Sequence, residues 1–514
     1  MKKPNHIAIV GCGFSGTSAL IQLVKHYPVK HITIYEQTGD FGPGYAYRQN
    51  ECQDYLINNT TDSMCLEPEN KQAFIQWLRS SGNNTKVDSK GHLPRAMYGQ
   101  FLNDMISFAK KIAKEKSIHI ECISEEVINI VENENDTKVI TRQNIRNSDR
   151  VLLTTGRCLD KDHYQKPPVN GAVYYPSHIE TSFTKDKLPN NGIFYVLGAS
   201  LSSYDVINHL YSENSGCRFK KINGELVYEP GHNKRKVILV SRTGRLKKIQ
   251  SILPMKISRT NFTTRNIASC RNLDDLLDLV LLEANSHGVD LDIQAILDPY
   301  KDCKTTEEIN ERAASILKSD IALTKSGRNF LVDLFQDAQL DIWDGYSRRA
   351  LSMPQENLYR KNYETAFLSY FAPCPIPTSE KLLALHKSGA LEIRKGIQDV
   401  SLSRDGKTYQ LTFPTHIEEA KYLINTTGSV VRRINQPELP ELFKNLEKSG
   451  FLEQYRRDGV SMDGANIDLA NFLLPGTKRI YMANMWLWGP AFFTSSTFLM
   501  SNIIKKILQN LYKN

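Results

Sequence analysis

Three glycines near the N-terminus have the spacing of a turn that binds a pyrophosphate, namely Gly11, Gly13 and Gly16. They follow an apolar run that predicts a buried strand, and a helical pattern comes after them. In such a turn the first glycine permits the sharp change of direction and the second lets a phosphate reach the backbone, while the third lets the helix pack closely on the strand. Phe14 and Ser15 open the predicted helix, whose free N–H groups would face the phosphates. The pattern predicts a dinucleotide site.

An acidic residue at the end of the next predicted strand supports this interpretation. Glu36 follows the apolar run 31–35 and lies twenty residues after Gly16. A carboxylate at this place accepts hydrogen bonds from a ribose hydroxyl. The alternative is an ordinary strand–helix–strand unit that binds no ligand.

The second half of the chain repeats the strand–turn–helix pattern with fewer glycines. Gly198 is kept, while Ser200 and Ser203 stand at the second and third glycine positions. Serine is small enough for close approach, and its hydroxyl can donate to a phosphate. The next predicted strand ends in Ser241 and Arg242, and an arginine there suits the 2′-phosphate of NADP. Two alternatives stay open: a helix start in a domain that binds nothing, and a solvated surface charge at Arg242.

Two apolar strands end in the same Thr-Thr-Gly sequence, at 154–156 and at 426–428. Glycine at such an ending lets the backbone approach a cofactor. Gly156 and Gly428 are therefore candidate contacts, and we expect two nucleotide folds that are threaded through each other.

The C-terminal segment ends in a loop and a last amphipathic helix. Ser495 lies in this loop, which is expected to aim backbone N–H groups at an electron-rich ring. Trp486 and Trp488 precede the loop. They either pack on a cofactor or fill the core.

The overall composition excludes several classes of protein. The 514 residues are 40% hydrophobic and 24% charged, and the formal net charge of +9 is small for this length. The basic residues are scattered, so neither a nucleic-acid tract nor a polybasic membrane patch is indicated, and no apolar run is long enough to span a membrane. The nine cysteines are dispersed, without a Cys-x-x-Cys pair or the spacing of zinc ligands, which argues against a redox-active disulfide and a metal site. We expect a cytoplasmic protein.

The chain resembles a known group of proteins through both glycine turns, both Thr-Thr-Gly endings and the loop Gly42-Pro43-Gly44-Tyr45-Ala46-Tyr47. It is similar to bacterial FAD/NAD(P)-binding oxidoreductases related to the flavin-dependent N-hydroxylating monooxygenases. The resemblance covers most of the chain apart from the helical stretch near 260–340. It implies FAD on the first fold, NADPH on the second fold, and a C-terminal segment that returns to complete the FAD domain.

The resemblance also carries over to individual residues of the first domain. The first glycine turn and its acidic residue match the contacts to FAD, and Gly44, Ala46 and Tyr47 match the loop beside the flavin. Asn58 and Met64 match a Leu-Asn…Met segment of the group, although an isoleucine stands in place of the leucine.

A Pro-Arg-x-x-Tyr helix start is the last matching motif, formed by Pro94, Arg95 and Tyr98. Arg95 either holds a substrate carboxylate, which a guanidinium binds bidentately, or forms a structural salt bridge. Together with Asn58, Arg95 and Tyr98 are the candidate catalytic residues.

A chain of this length exceeds one compact core, and the repeated pattern predicts an α/β fold with two Rossmann-like domains. The expected division is a first FAD-binding part at 1–180, a NAD(P)-binding domain at 190–258 and 340–415, and a C-terminal FAD-binding part at 416–514. The polar helical stretch at 259–339 is expected to be an insertion, either a lid or a plain structural element.

The resemblance implies an FAD-dependent, NADPH-using monooxygenase that oxygenates the nitrogen of a small amine or amino acid. The oxygen would come from O₂ through a C4a-(hydro)peroxyflavin. Two other functions stay open, which are a flavin-dependent NAD(P)H reductase or dehydrogenase that never oxygenates and a protein that holds nucleotides without turnover. A homo-oligomer is compatible with the sequence.

Overall fold

The computed structural model describes residues 3–513 except 50–51, 82–88, 158–159, 163, 168, 170, 178–182, 184–187, 349–350, 428, 431–432, 435, 437–438 and 492–494. The strands, β1 to β22 in chain order, are His6–Val10, His31–Tyr35, His119–Ile123, Val127–Glu132, Thr137–Thr141, Ile145–Ser148, Arg150–Leu153, Asp160–Lys161, Val173–Tyr175, Asn191–Leu197, Arg218–Ile222, Glu225–Glu229, Lys234–Ser241, Leu391–Lys395, Asp399–Leu402, Tyr409–Thr412, Ile417–Ala420, Tyr422–Asn425, Ser429–Val430, Gln454–Arg457, Val460–Ala465 and Ile480–Met482.

The helices, α1 to α15 in chain order, are Phe14–His26, Ala73–Ser80, Arg95–Glu115, Leu201–Leu210, Thr264–Ser269, Leu273–Ser286, Ile293–Leu297, Thr306–Lys325, Phe330–Asp337, Gln339–Ser347, Met353–Asn362, Glu364–Phe371, Ile376–Lys387, Glu441–Lys448 and Thr497–Lys513. Short 3₁₀ turns occur at Thr61–Ser63, Glu213–Ser215 and Met485–Leu487.

The first sheet is parallel throughout, in the order β3-β2-β1-β7-β22. Its central strand β1 aligns Ile7 with Ile32 on one side and with Arg150 on the other. Both β1 and β2 are buried beyond their first residue, as apolar strands of a parallel sheet covered by helices should be. Helix α1 packs against α3 and against the C-terminal helix α15, so the end of the chain returns to the first domain.

The second sheet is also parallel, in the order β9-β18-β10-β13-β14. The two sheets confirm the predicted α/β fold with two Rossmann-like folds. Strands β9 and β18 lie in this second sheet, whereas the expected ranges 1–180 and 416–514 would assign them to the first domain. The reason is that β18 pairs along β10, which brings its Thr-Thr ending beside the second glycine turn.

A helical block at 264–371 follows β13, and it extends beyond the expected 259–339. Its additional helices bury aromatic residues against the earlier ones. Phe335 on α9 stacks on Phe371 at the end of α12, with 4.6 Å between the ring centroids. The helices after 339 therefore belong to the core of this block and not to the second nucleotide fold.

Within the described ranges, the helices include none that combines the length and the apolar character needed to cross a membrane.

The first sheet carries three histidines in register at the starts of neighbouring strands. The His6 and His31 rings stack with centroids 4.0 Å apart, and the His31 and His119 centroids are 4.8 Å apart. Burial and the neighbouring His31 lower the pKa of His6 from 6.5 to about 4, although Asp149 acts in the opposite direction. The stacked row is therefore a source of acid sensitivity.

We expect stability to fall as the pH drops from about 6.5 to about 4, because the unfolded chain protonates His6 before the folded chain does. After a discount for partial solvent exposure, the loss amounts to about 1–2 kcal/mol. Urea unfolding of the wild type and of His6→Gln at pH 7.5 and 4.5 measures this loss in the free energy of unfolding. The His6→Gln variant should lose less stability between these pH values, while the exposed His232→Gln control should behave as the wild type. An equal loss in all three proteins would contradict the assignment.

Candidate active site

A cavity of about 560 Å³ lies where the first nucleotide fold, the second nucleotide fold and the helical block meet. All three parts of the chain contribute side chains or backbone to its wall. Gly13, Phe14 and Ser15 come from the first glycine turn, and Ser200 comes from the second. The two predicted dinucleotide turns therefore open into one space.

The first glycine turn is held by contacts that leave no room for side chains. Gly11 has a φ of +95°, and a Cβ atom on it would lie 2.7 Å from the Thr154 carbonyl oxygen. A Cβ on Gly16 would lie 2.2 Å from the Gly11 carbonyl oxygen. The Thr154 hydroxyl donates to that same Gly11 oxygen at 2.6 Å. The glycines thus do what the sequence predicts, since turn, helix and strand ending are in direct contact.

The loop at 42–47 closes over this turn. The Gly42 N–H donates to the Cys12 carbonyl oxygen at 2.7 Å, and a Cβ on Gly44 would lie 2.7 Å from the Gly13 Cα. Helix α1 begins at Phe14 without a hydrogen bond from a capping side chain. Its first N–H groups are therefore available to an anion in the cavity.

Glu36 lies at the end of β2 and its carboxylate faces the turn. One oxygen accepts a hydrogen bond from the Cys12 N–H at 3.0 Å. The other accepts from the Thr38 N–H at 3.1 Å and from the Thr38 hydroxyl at 2.9 Å. The carboxylate is thus fixed beside the glycine turn, as the predicted ribose contact requires.

The second glycine turn repeats the first one with serines in place of glycines. Gly198 has a φ of +114°, and a Cβ on it would lie 2.6 Å from the Thr426 hydroxyl oxygen. Ser200 is exposed at the cavity and makes no capping bond to α4. Ser203 is buried and its hydroxyl donates to the Ser200 carbonyl oxygen at 2.6 Å. The expected contact of Ser203 with a phosphate is therefore wrong, because its hydroxyl is used inside the helix.

The other predicted cofactor residues divide into three groups. Gly156, Met64 and Ser495 line the cavity. Arg242 is exposed after β13 and forms no hydrogen bond or ion pair within the described part of the chain. Gly428 lies outside the described residues.

The two C-terminal tryptophans have different surroundings. Trp486 is 1% exposed and packs against Phe443. Trp488 lines the cavity. One ring therefore fills the core, and the other faces the site.

Tyr98 does not reach the cavity. It is 0% exposed and packs among Tyr47, Phe74 and Phe101. Its predicted catalytic role is therefore wrong, because a side chain enclosed by this aromatic cluster does not touch a ligand. Tyr47 does line the cavity. Burial raises the pKa of Tyr47 to about 12, so its hydroxyl keeps its proton at neutral pH and can donate a hydrogen bond.

Arg95 forms the salt bridge that the sequence left as an alternative. Its guanidinium donates to both oxygens of Asp205 on α4, at 2.7 and 3.2 Å. It also donates to the Leu56 carbonyl oxygen at 2.9 Å and to the Asn58 side-chain oxygen at 3.5 Å. Burial would lower the pKa of Arg95, but the Asp205 carboxylate outweighs burial and raises it. Arg95 thus joins the two nucleotide folds at the cavity wall.

Sequence reasoning missed the cavity residues that lie between β13 and the end of α12. Lys247, Gln336 and Gln339 line the cavity together with apolar groups of α12. Nothing in their local sequence distinguishes them, since Lys247 is one of two adjacent lysines. Only the packing of the helical block against the second fold places them at the site.

Comparison with known proteins agrees with this geometry. Residues 8–158 match the family model described as FAD-NAD(P)-binding. The uncharacterized protein YdhS of Escherichia coli K12 is 18% identical over 490 residues, which cover 88% of this chain and 87% of that protein.

Two solved structures have a similar fold over the length of the chain. DfoA of Erwinia amylovora, an FAD-bound cadaverine monooxygenase, has a TM-score of 0.52 at 11% identity, covering 100% of this chain and 95% of its own. The L-lysine 6-monooxygenase of Pseudomonas syringae has a TM-score of 0.50 at 13% identity, covering 99% of each chain. The chain has a fold similar to that of these two monooxygenases. The resemblance inferred from the sequence is confirmed at the level of the fold.

The Arg95–Asp205 pair should show strong energetic coupling, because the two side chains are only 20% and 9% exposed. Arg95→Met or Asp205→Asn alone should lower the free energy of unfolding by about 3 kcal/mol, since each leaves a buried charge without its partner. The double variant should lose less stability than the sum of the two single losses, and urea unfolding should give a coupling energy of about 2 kcal/mol. Additive losses would show that the pair does not hold the two folds together.

Proposed function

We propose that the chain is an FAD-dependent monooxygenase that uses NADPH and oxygenates the nitrogen of a small amine or amino acid. One observation carries this proposal: the helix starts at Phe14 and Leu201, one in each nucleotide fold, open into the same cavity. Hydride transfer needs the nicotinamide and the flavin to lie against each other, which two separate pockets would prevent. The fold shared with an FAD-bound cadaverine monooxygenase and an L-lysine 6-monooxygenase supports it.

The residues of the first fold suit FAD. The uncapped N–H groups at the start of α1 would bind the pyrophosphate. The close approach of Gly13 and Gly44 keeps side chains out of the phosphate path. The fixed carboxylate of Glu36 would accept hydrogen bonds from the ribose. The match of residues 8–158 to an FAD-NAD(P)-binding family model supports the same assignment.

The residues of the second fold suit NADPH. The start of α4 offers N–H groups that no side chain caps, and Ser200 adds an exposed hydroxyl. Arg242 follows the second strand of this fold with its guanidinium free to pair with a 2′-phosphate. This arrangement favours NADPH over NADH.

The wall of the cavity suits a reaction from which water is excluded. When bound, FAD would supply the transfer of electrons from NADPH and the reaction with O₂. The apolar part of the wall would limit the entry of water; it includes Met64, Leu368, Phe371, Pro373 and Met485. The Tyr47 hydroxyl would donate a hydrogen bond, while the pairing of Arg95 with Asp205 holds the two folds at a fixed distance.

The purified protein should retain FAD, and NADPH should bleach the flavin absorbance under anaerobic conditions. In air, a cognate amine or amino acid should accelerate NADPH consumption and yield a hydroxylamine, which mass spectrometry detects. Flavin that is reduced by NADPH but releases only hydrogen peroxide with every amine would contradict oxygenation. Flavin that NADPH cannot reduce would contradict the enzyme assignment altogether.

A matched pair of variants tests the placement of FAD in the same preparation. Gly44→Ala should release most of the FAD, because its Cβ would collide with the Gly13 backbone. Gly406 has a similarly positive φ of +68° but open space around it, so Gly406→Ala carries the backbone strain without the collision. Equal FAD retention in both variants would contradict the site.

Arg242→Gln should weaken NADPH binding by about 10- to 100-fold, which is the range for loss of one charge-assisted hydrogen bond, and should leave NADH binding unchanged. Stopped-flow measurement of flavin reduction against the concentration of each nucleotide gives both constants. The exposed Arg404→Gln variant removes the same charge far along the chain and should behave as the wild type. An equal loss of affinity for NADPH and NADH in Arg242→Gln would show that Arg242 does not bind the 2′-phosphate.

A further inference from the structure

Lys247 places an ammonium group at the cavity wall without an anionic partner. Its Nζ donates to the Leu368 carbonyl oxygen at 3.0 Å, and its backbone N–H donates to the Tyr204 hydroxyl at 2.8 Å. Within the described ranges, no carboxylate pairs with it. Burial lowers the pKa of Lys247 to about 8, so the group is still mostly charged at neutral pH.

The adjacent lysine shows the opposite arrangement. The Lys248 ammonium binds both oxygens of Asp320, at 3.0 and 2.9 Å. Burial would lower the pKa of Lys248, but Asp320 outweighs burial and raises it. The fold therefore compensates one of two neighbouring half-buried ammonium groups and leaves the other at the cavity wall.

An ammonium that is buried without an anion is costly, and a ligand that brings the anion removes that cost. The group also suits an anion such as a carboxylate, because it has three N–H donors and the fold uses one of them. Lys247 is thus equipped to recognise an anionic end of a ligand.

A second unpartnered group lies on the same wall. Gln339 is 9% exposed, and its side-chain oxygen has no hydrogen-bond partner among the residues that the structure describes. Its amide nitrogen donates to the Gln336 side-chain oxygen at 2.7 Å, and the Gln336 nitrogen donates to the Phe371 carbonyl oxygen at 2.9 Å. The buried oxygen of Gln339 thus lacks a hydrogen-bond donor, which an N–H group of a ligand at this wall would supply.

We propose that Lys247 binds the carboxylate of the substrate and that Gln339 accepts a hydrogen bond from its amino group. The substrate is then an amino acid and not a diamine, an inference that rests on the proposed function because it takes this cavity as the substrate site. We assign Lys247 to a carboxylate because its ammonium contacts α12 of the helical block, whereas the N–H groups that suit a nucleotide phosphate lie at the start of α4.

Isothermal titration of the FAD-loaded protein with matched ligands tests the proposal without turnover. The pairs are L-lysine with cadaverine and L-ornithine with putrescine, which differ only in the carboxylate. At least one amino acid should bind tenfold or more tightly than its diamine, in keeping with a charge-assisted hydrogen bond. Lys247→Met should abolish this preference, and Gln339→Leu should weaken binding of the amino acid several-fold.

The control variants separate binding from folding. Lys247→Met should keep or raise the melting temperature, because it removes a charge that no carboxylate among the described residues compensates, and Lys247→Arg should retain the preference. Lys301→Met removes an exposed charge and should leave every affinity unchanged.

Three results would overturn the proposal. The first is that no amino acid binds more tightly than its diamine, and the second is that Lys247→Met loses as much affinity for NADP⁺ as for the amino acid. The third is that Lys247→Met has a lower melting temperature but still prefers the amino acid to the diamine. Amino-acid binding through Lys247 in a protein that never oxygenates its ligand would instead reject only the proposed function.

Discussion

The contact between each glycine turn and the Thr-Thr ending of a neighbouring strand is the constraint on which both nucleotide folds depend. A Cβ on Gly11 or on Gly198 would lie within 2.7 Å of Thr154 or Thr426, respectively. Each threonine hydroxyl donates back at 2.6 Å, to the Gly11 carbonyl oxygen in the first fold and to the Leu197 carbonyl oxygen in the second. Because the turn decides where the following helix begins, these contacts set the positions of the two helix starts that open into the cavity. The position of the two helix starts at the cavity is thus determined mainly by backbone packing.

A pair of charges complements this packing by joining the two folds. Among the described residues, the strands of the two sheets do not pair with each other, so the relative position of the sheets depends on contacts such as that between Arg95 and Asp205. The guanidinium is also held by the Leu56 carbonyl oxygen, which ties the pair to the segment that lines the cavity beside the first turn. The guanidinium uses one edge on Asp205 and the other on Leu56 and Asn58, so no edge is left for bidentate binding of a substrate carboxylate. If the substrate carries a carboxylate, another cationic side chain must therefore bind it.

The parts of the fold that were predictable are those encoded by short spacings in the chain. The glycine turn at 11–16 and the acidic Glu36 need only local patterns, and the structure bears out the fold that they predict. Motif matching was less informative for Arg95 and Tyr98, which are three residues apart on α3. Arg95 reaches Asp205 in the second nucleotide fold, whereas Tyr98 is enclosed by aromatic rings. Both environments are formed by residues that are distant in sequence.

The same reasoning explains why Lys247 was not predictable. Lys247 and Lys248 are identical in type and adjacent in sequence, and their different electrostatics arise from Asp320, which reaches only one of them from α8. The helical block supplies that carboxylate and, through Leu368, the carbonyl oxygen that Lys247 contacts. The block thus covers the Lys247 ammonium without giving it a carboxylate among the described residues, and an uncompensated charge at a cavity wall costs stability. This cost supports the proposal that the block forms part of a substrate site.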